Sequence, residues 1–217
     1  LLLLFCFVIF MTGCQTGSSD KNTTSTEKKD YNIEITDDIQ KIIDRGYLIV
    51  GCKTDVPGFG YYDTESNIWS GMEVDLAYQL AGKIFDTTPE KAKKEKLVTF
   101  VKATVENRST LLVERTVDCV IATFTITKER QEAFLFSDSY YTDAIGLMVK
   151  KTYSDKNSLG TTGITSIKKL DGKKVGVAKN ADTSSHMLNY IRQRSLNVAP
   201  IFFEYSSYEA LYRALKN

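Results

Sequence analysis

The chain has 217 residues, of which 28 are Lys or Arg and 27 are Asp or Glu, so its net charge at neutral pH is +1. This balance argues against nucleic acid as a partner, because phosphate binding normally requires a basic face. The length leaves room for one large domain or two small lobes.

The chain opens with a short apolar segment. Residues 1–11 are almost all apolar, but a membrane-spanning helix needs about 20 such residues. The run therefore fits the apolar core of an export signal. Residues 11–14 (MTGC) resemble a bacterial lipobox, which would make residues 1–14 a lipoprotein signal peptide and Cys14 its acylated residue. An ordinary signal peptide with an incidental cysteine is the alternative.

The next segment is polar. Residues 15–30 (QTGSSDKNTTSTEKKD) contain no large apolar residue, so they cannot bury enough surface to offset the entropy lost on ordering. They predict a flexible tether. Signal and tether together predict a protein held by lipid at the extracytoplasmic face of a bacterial cell membrane, in the periplasm or at the cell surface.

The four cysteines divide into two pairs. Cys6 and Cys14 belong to the export segment, whereas Cys52 and Cys119 lie inside apolar, strand-like runs. We expect the second pair to be small buried hydrophobic residues. A disulfide is the alternative, because the far side of the membrane is oxidising.

From residue 47 onward, short apolar runs alternate with helical patterns. The predicted strands are residues 47–52, 97–101, 117–122, 173–178 and 200–205, with another extended run at 144–149. The predicted helices are residues 71–85, 104–114, 183–194 and 207–216. This alternation predicts an α/β fold with parallel sheets. A polar stretch at residues 154–163 separates two such units.

Ligands of open α/β sheets bind beyond the carboxyl ends of the strands. Lys53 follows the first predicted strand and would place a positive charge there, and Phe59 and Tyr61 could form an apolar wall. A solvated lysine beside a loop anchored by aromatic residues is the alternative.

Arg108 lies near the start of the second predicted helix. A cation is poorly placed at that end of the helix dipole, so we expect it to have an anionic partner. That partner is either Glu106 or the carboxylate of a ligand.

The segment after the third predicted strand, residues 122–130 (ATFTITKER), carries the most information. Thr127 fits the N-cap of a short helix. Thr123 and Thr125 lie two residues apart and offer hydroxyls and amides, and the planar fork of Arg130 matches a carboxylate bidentately. The group predicts a socket for a carboxylate, against the alternative of a structural arginine tied to a surface glutamate.

Four blocks of sequence resemble signature blocks of the family 3 solute-binding proteins, the amino-acid receptors of ABC importers. They are residues 70–77 (SGMEVDLA), 117–130 (VDCVIATFTITKER), 136–147 (FSDSYYTDAIGL) and 167–177 (IKKLDGKKVGV). The similarity runs in order from about residue 45 to the end of the chain. The nearest likeness is to the aspartate- and glutamate-binding branch.

The resemblance implies the type II periplasmic-binding-protein fold, with two α/β lobes joined by a hinge. Lobe one would comprise residues 31–147 and lobe two residues 148–217. Lobe two would be incomplete, because the family continues into a strand whose aspartate binds the ligand amine.

The resemblance also implies roles for residues of lobe one. Arg130 would grip the ligand α-carboxylate with help from Thr125, and Thr123 would face the α-amino group. Lys53 and Arg108 would lie near the side-chain end of the ligand and favour an anionic side chain.

Three further residues complete the implied site. Phe59 would stack along the aliphatic part of the ligand, and Thr183 would donate to a carboxylate from a helix N-terminus. Asp182 stands where a neutral residue would better suit an anionic ligand, which weakens the acidic preference.

The function implied is an extracytoplasmic receptor that delivers free glutamate or aspartate to an ABC permease. We expect it to act as a monomer without cofactor, metal or nucleic acid. A receptor for a polar, glutamine-like amino acid is the first alternative. The others are a sensor domain, a domain of a cell-wall lytic enzyme, or a dehydratase using Asp182 or Glu73 as an acid. We expect no catalysis, because His186 is the only histidine and no nucleophile accompanies it.

Overall fold

A computed structural model describes residues 35–155, 158–161 and 164–216, with only the backbone described in the strands between residues 151 and 161. The predicted signal peptide, Cys14 and the tether lie outside these residues. Within the described ranges, no helix is both long and apolar enough to cross a membrane.

The helices and strands follow one another in the predicted alternating order. The helices are α1 (Asp37–Arg45), α2 (Met72–Ile84), α3 (Pro89–Lys94), α4 (Arg108–Val113), α5 (Lys128–Gln131), α6 (Thr183–Gln193) and α7 (Tyr208–Lys216), with a 3-10 helix at Ile167–Leu170. The strands are β1 (Leu48–Lys53), β2 (Asp55–Val56), β3 (Gly60–Asp63), β4 (Ile68–Ser70), β5 (Val98–Ala103), β6 (Cys119–Ile121), β7 (Lys151–Asp155), β8 (Ser158–Thr161), β9 (Lys174–Ala178) and β10 (Ile201–Tyr205).

The first parallel sheet has the order β5-β1-β6. Its central strand β1 pairs with β5 from Leu48↔Val98 onward and with β6 from Val50↔Cys119 onward. Helix α2 packs on this sheet through the small residues Ala77 and Ala81, both fully buried. Because alanine has only a methyl group, the helix axis can lie close to the strands. We call the part built around this sheet lobe one.

The second parallel sheet consists of β9 and β10. Its core is separate from that of lobe one and gathers Leu170, Val175, Val177, Met187 and Ile191 from β9, α6 and the 3-10 helix. We call this part lobe two. Two parallel sheets with two cores confirm the predicted α/β class and its division into two lobes. The exact boundaries at residues 31, 147 and 148 stay predictions.

Several short elements were not predicted. Strands β2, β3 and β4 form an antiparallel sheet beside β1, and β7 pairs with β8 within the stretch expected to separate the lobes. Helix α1 was also missed, although Thr36 caps its first turn and Gly46, with φ of 84°, ends it.

Two predicted elements are shorter or absent. The helix expected at residues 104–114 begins only at Arg108. Thr104 and Asn107 each accept a hydrogen bond from the amide of the other, at 3.0 and 2.7 Å, and so hold residues 104–107 in a turn. The run at residues 144–149 has no regular secondary structure.

Candidate functional site

A cleft of about 1240 Å³ lies at the carboxyl ends of the strands and is lined by residues of both lobes. The loops after β1 and β6 line it from lobe one, and Asp182, Thr183 and Tyr208 line it from lobe two. This is the edge at which ligands of open α/β sheets bind. Of the eight residues expected in the site, six line the cleft: Phe59, Arg108, Thr123, Thr125, Asp182 and Thr183. Arg130 lies beside it through its contact with Asp182.

Arg130 binds the carboxylate of another residue of the same chain, Asp182. Its Nη1 donates to Asp182 Oδ2 at 3.0 Å and to the Thr125 carbonyl at 2.9 Å, and its Nη2 donates to the other oxygen of Asp182. Both side chains are largely buried, with 17% and 16% of their surface exposed. The predicted alternative of a surface glutamate is therefore wrong, because the partner is an aspartate from lobe two.

The short helix α5 presents the Arg130 fork. Thr127 caps this helix, as predicted, because its hydroxyl accepts from the Arg130 amide at 3.3 Å. The guanidinium also lies 4.7 Å from the centre of the Phe124 ring, a distance that suits cation–π attraction. The segment between β6 and α5 thus both orients and surrounds the arginine.

Thr123 and Thr125 differ in their surroundings. Thr123 has φ of 46°, its amide donates to Glu73, and its buried hydroxyl has no hydrogen-bond partner among the described residues. Thr125 is exposed and its carbonyl is bound by Arg130. Thr123 therefore lines the cleft and carries a buried hydroxyl whose bonding capacity is unused within the described residues.

Arg108 is buried and does not pair with Glu106, the first of the two anionic partners that were expected. Its Nη1 donates to the carbonyls of Ala122 at 2.9 Å and Thr123 at 2.8 Å, while Glu106 pairs with Lys179 of lobe two. Burial, followed by the nearby charge of Arg130, lowers the pKa of the Arg108 guanidinium. Its Nε has no hydrogen-bond partner in the described part of the chain.

Lys53 is buried, with 1% of its side chain exposed, so the alternative of a solvated lysine is wrong. Its Nζ lies 2.7 Å from Asp55 Oδ1 and 5.1 Å from the centre of the Tyr208 ring. The ammonium is thus matched by a carboxylate only two residues away. It is not among the residues that line the cleft.

Only one of the two residues predicted for the aromatic wall lines the cleft. Phe59 lines the cleft, but it packs edge-to-face on Tyr141, with ring centres 4.9 Å apart. Tyr61 lies in β3 with 38% of its surface exposed and does not line the cleft. The prediction for Tyr61 is therefore wrong, since alternate residues of a strand point to opposite faces.

Helix α6 begins at the cleft with Thr183, as predicted. Asp182 precedes the helix, and His186 lies one turn further with its Nε2 3.8 Å from Asp182 Oδ2. No group of three or more His, Cys, Asp or Glu residues that could hold a metal ion occurs within the described ranges.

Sequence reasoning missed Tyr140 and Tyr208 at the site and considered Glu73 only as a candidate acid. Glu73 is fully buried and bonded to Tyr140 at 2.6 Å, and Tyr208 lies over Lys53. Glu73 is the second residue of α2. Acidic residues are common at this position because they interact favourably with the helix dipole, usually at the surface. The sequence position therefore gave no indication that Glu73 is buried.

Cys52 and Cys119 are free thiols, so the disulfide alternative is wrong. Val50, not Cys52, is the register partner of Cys119, which places the two cysteines diagonally on adjacent strands. Burial raises the pKa of each thiol to about 12. Both therefore stay protonated at neutral pH and behave as small apolar residues.

Comparison with known proteins identifies the family. The model of the bacterial extracellular solute-binding proteins, family 3, matches residues 48–193. The chain belongs to this family.

The family 3 chain is similar to several known binding proteins. It is 28% identical over 215 residues to the glutamine-binding protein of Geobacillus stearothermophilus and 29% identical over 218 residues to the glutamine-binding protein GlnH of Bacillus subtilis (strain 168). These matches cover 99% and 100% of this chain but 74% and 69% of those proteins. A cysteine-binding protein from Campylobacter jejuni shares the fold, with a TM-score of 0.57 and 24% identity over 82% of this chain; the family 3 chain spans 62% of its length.

Proposed function

We propose that this chain is the ligand-binding part of an extracytoplasmic receptor that captures a free amino acid for an ABC importer. The observation that carries the proposal is the Arg130 fork, which holds a carboxylate from the opposite lobe at the carboxyl end of the first sheet. An α-carboxylate has the same shape and charge as the Asp182 carboxylate that now occupies the fork.

In the proposed binding event, the α-carboxylate of the amino acid replaces Asp182 on Arg130. The Thr123 hydroxyl, which has no partner among the described residues, then bonds the ligand, and the released Asp182 accepts from its ammonium group. Ligand contacts from both lobes would stabilise the closed form, as in hinge-closing receptors generally. Membership of family 3 and the glutamine-binding relatives support this reading.

The charges at the site favour an amino acid without net charge. The cations of the site already have partners: Asp55 for Lys53, Asp182 for Arg130, and two backbone carbonyls for Arg108. A ligand with zero net charge leaves the charge of the site unchanged, whereas an extra charge in a buried site is costly unless it is paired. We therefore propose glutamine as the first candidate ligand.

Glutamate or aspartate, the ligands expected from sequence, are the second candidates, and Arg108 favours them. Its buried cation bonds backbone carbonyls only, and its Nε is unpartnered within the described part of the chain. Lys53 no longer supports an acidic ligand, because Asp55 already neutralises it.

A binding role agrees better with the site than a dehydratase role. The two residues considered as acids are both engaged: Glu73 accepts hydrogen bonds from Tyr140 and Thr123, and Asp182 pairs with Arg130. We propose the remaining features from the sequence: a lipid anchor at Cys14, lobes at residues 31–147 and 148–217, a permease partner and a monomeric state.

Titration calorimetry of the full-length protein with each of the twenty amino acids tests the proposal. We expect binding of glutamine, with glutamate next. Tight binding of a basic amino acid with none of glutamine, glutamate or aspartate would contradict the ligand assignment. Failure of all twenty to bind would contradict the receptor function itself.

A further inference from the structure

Glu73 is a buried carboxylate that the proposed binding event does not use. It is the second residue of α2 and is 0% exposed. Its Oε1 accepts two hydrogen bonds, one from the Tyr140 hydroxyl at 2.6 Å and one from the Thr123 amide. Its Oε2 has no partner among the described residues. Burying a carboxylate costs free energy unless it is hydrogen-bonded or paired. A buried carboxylate with two hydrogen bonds therefore indicates a specific role for this side chain.

The amide and the carbonyl of Thr123 are both hydrogen-bonded to buried side chains, the first to an acidic and the second to a basic residue. Its amide donates to Glu73, and its carbonyl accepts from Arg108 Nη1 at 2.8 Å. Only 3% of Arg108 is exposed. Hydrogen bonds to ionised groups are stronger than those between neutral groups, so these two contacts fix the plane of the backbone on either side of Thr123.

The backbone of Thr123 needs this support. Its φ of 46° lies in the left-handed region, which a β-branched residue rarely adopts because its side chain crowds the backbone. Such a conformation persists only where surrounding contacts impose it. Thr123 and Thr125 both line the cleft, so the conformation at residue 123 sets the shape of the loop there.

Glu73 also fixes a second wall of the cleft through Tyr140. The next residue, Tyr141, packs edge-to-face on Phe59, and all three aromatic residues line the cleft. Burial, followed by the hydrogen bond to Glu73, raises the pKa of the Tyr140 phenol. The phenol therefore remains a donor throughout the physiological pH range.

The Glu73 carboxylate is enclosed by protein, with no exposed surface, and the backbone of Gly60 lies against it. A Cβ added at Gly60 would lie 3.0 Å from Glu73 Oε2, 2.9 Å from Cys52 Sγ and 2.8 Å from the Lys53 carbonyl. The side chain therefore has little freedom to turn away from Thr123.

We propose that Glu73 is a positioning residue for amino-acid binding: it holds Thr123 in its left-handed conformation and Tyr140 against the cleft, and it does not touch the ligand. The inference rests on the proposed receptor function, because it assumes that the Thr123 loop binds the amino acid.

Calorimetry on the full-length protein, with L-glutamine and L-glutamate as probes, tests this role through three variants. We expect Glu73→Ala to weaken binding by tenfold or more. Glu73→Gln should recover most of the affinity, because the amide oxygen can still accept from Thr123 and Tyr140. Asp75→Asn, on the exposed side of the same helix, is the matched control and should leave affinity unchanged.

A double-mutant cycle separates positioning from general stability. Glycine adopts positive φ without strain, so it needs less support at position 123. In the Thr123→Gly background, the loss caused by Glu73→Ala should be at least threefold smaller than in the wild type, because only the Tyr140 contact remains to be lost. Loss of stability alone would give the same loss in both backgrounds.

The outcomes are distinct. If the wild type binds and Glu73→Ala binds equally well, or if the cycle is additive, the positioning role is overturned. If the wild type binds no amino acid, the proposed function falls and this role falls with it. Should Glu73→Ala fail to fold, amide hydrogen exchange of the wild type decides: protection of the Thr123 amide supports the role, and rapid exchange overturns it.

Discussion

Arg130 is the residue whose removal should affect binding most. Replacing it by alanine removes the fork that would hold the α-carboxylate of any amino acid. A hydrogen bond to a charged group contributes about 1.5–3 kcal/mol, so the loss of two should weaken binding by about 10²–10⁴-fold. Calorimetry with L-glutamine measures the effect on Arg130→Ala.

The control for this prediction is Arg192→Ala. Arg192 is exposed on α6 and bonds only Asn189 among the described residues, so its removal leaves the cleft intact. Equal affinity of Arg130→Ala and the wild type would contradict the assignment of Arg130.

Local patterns explain which site residues could be predicted. Thr127 was identified correctly as a helix cap, and the Arg130 guanidinium does bind a carboxylate through both terminal nitrogens. Both features depend on a few adjacent residues. The partner of the fork, Asp182, lies 52 residues away in sequence, and no local pattern links the two. Lys53 and Asp55 are separated by one residue, so their pairing could have been inferred.

At the scale of elements, Gly71 has the closest backbone neighbour of the glycines in the described part of the chain. It precedes α2 with φ of 112°, and a Cβ there would lie 2.1 Å from the Phe59 carbonyl oxygen. That carbonyl accepts from the Glu73 amide at 3.0 Å. The close approach of the Phe59 loop to the start of α2 therefore requires glycine.

Gly71→Ala should lower the free energy of unfolding by about 2–4 kcal/mol, because both the strained φ and the overlap with backbone must be relieved. Gly146→Ala is the control, since a Cβ there meets nothing within 4 Å. Urea denaturation of both variants measures the difference. A Gly71→Ala protein as stable as the wild type would refute the close approach.

The elements predicted from sequence are those with an apolar period. The strands of both parallel sheets and helices α2, α6 and α7 were placed within a few residues, because burial imposes a regular pattern on them. The sheet of β2, β3 and β4 was missed, because two- to four-residue strands are too short to display alternation. Residues 104–107 were wrongly predicted to be helical, because the pattern of apolar residues does not reveal the two hydrogen bonds between Thr104 and Asn107.

At the scale of the whole molecule, attachment to the membrane depends on Cys14. Cys14→Ser removes the thiol that would carry the lipid, so we expect the protein to move from the membrane fraction to the soluble fraction. Cys6→Ser is the control and should leave the protein in the membrane. Cell fractionation followed by immunoblotting measures both. A Cys14→Ser protein still in the membrane fraction would contradict the lipid anchor.

The central claim for the molecule is that Arg130 receives the α-carboxylate of an amino acid in place of Asp182. A crystal structure of the full-length protein with L-glutamine tests this most directly. We expect both terminal nitrogens of Arg130 to lie about 2.7–2.9 Å from the ligand carboxylate, with Asp182 displaced. A ligand bound elsewhere, with Arg130 still paired to Asp182, would contradict the account.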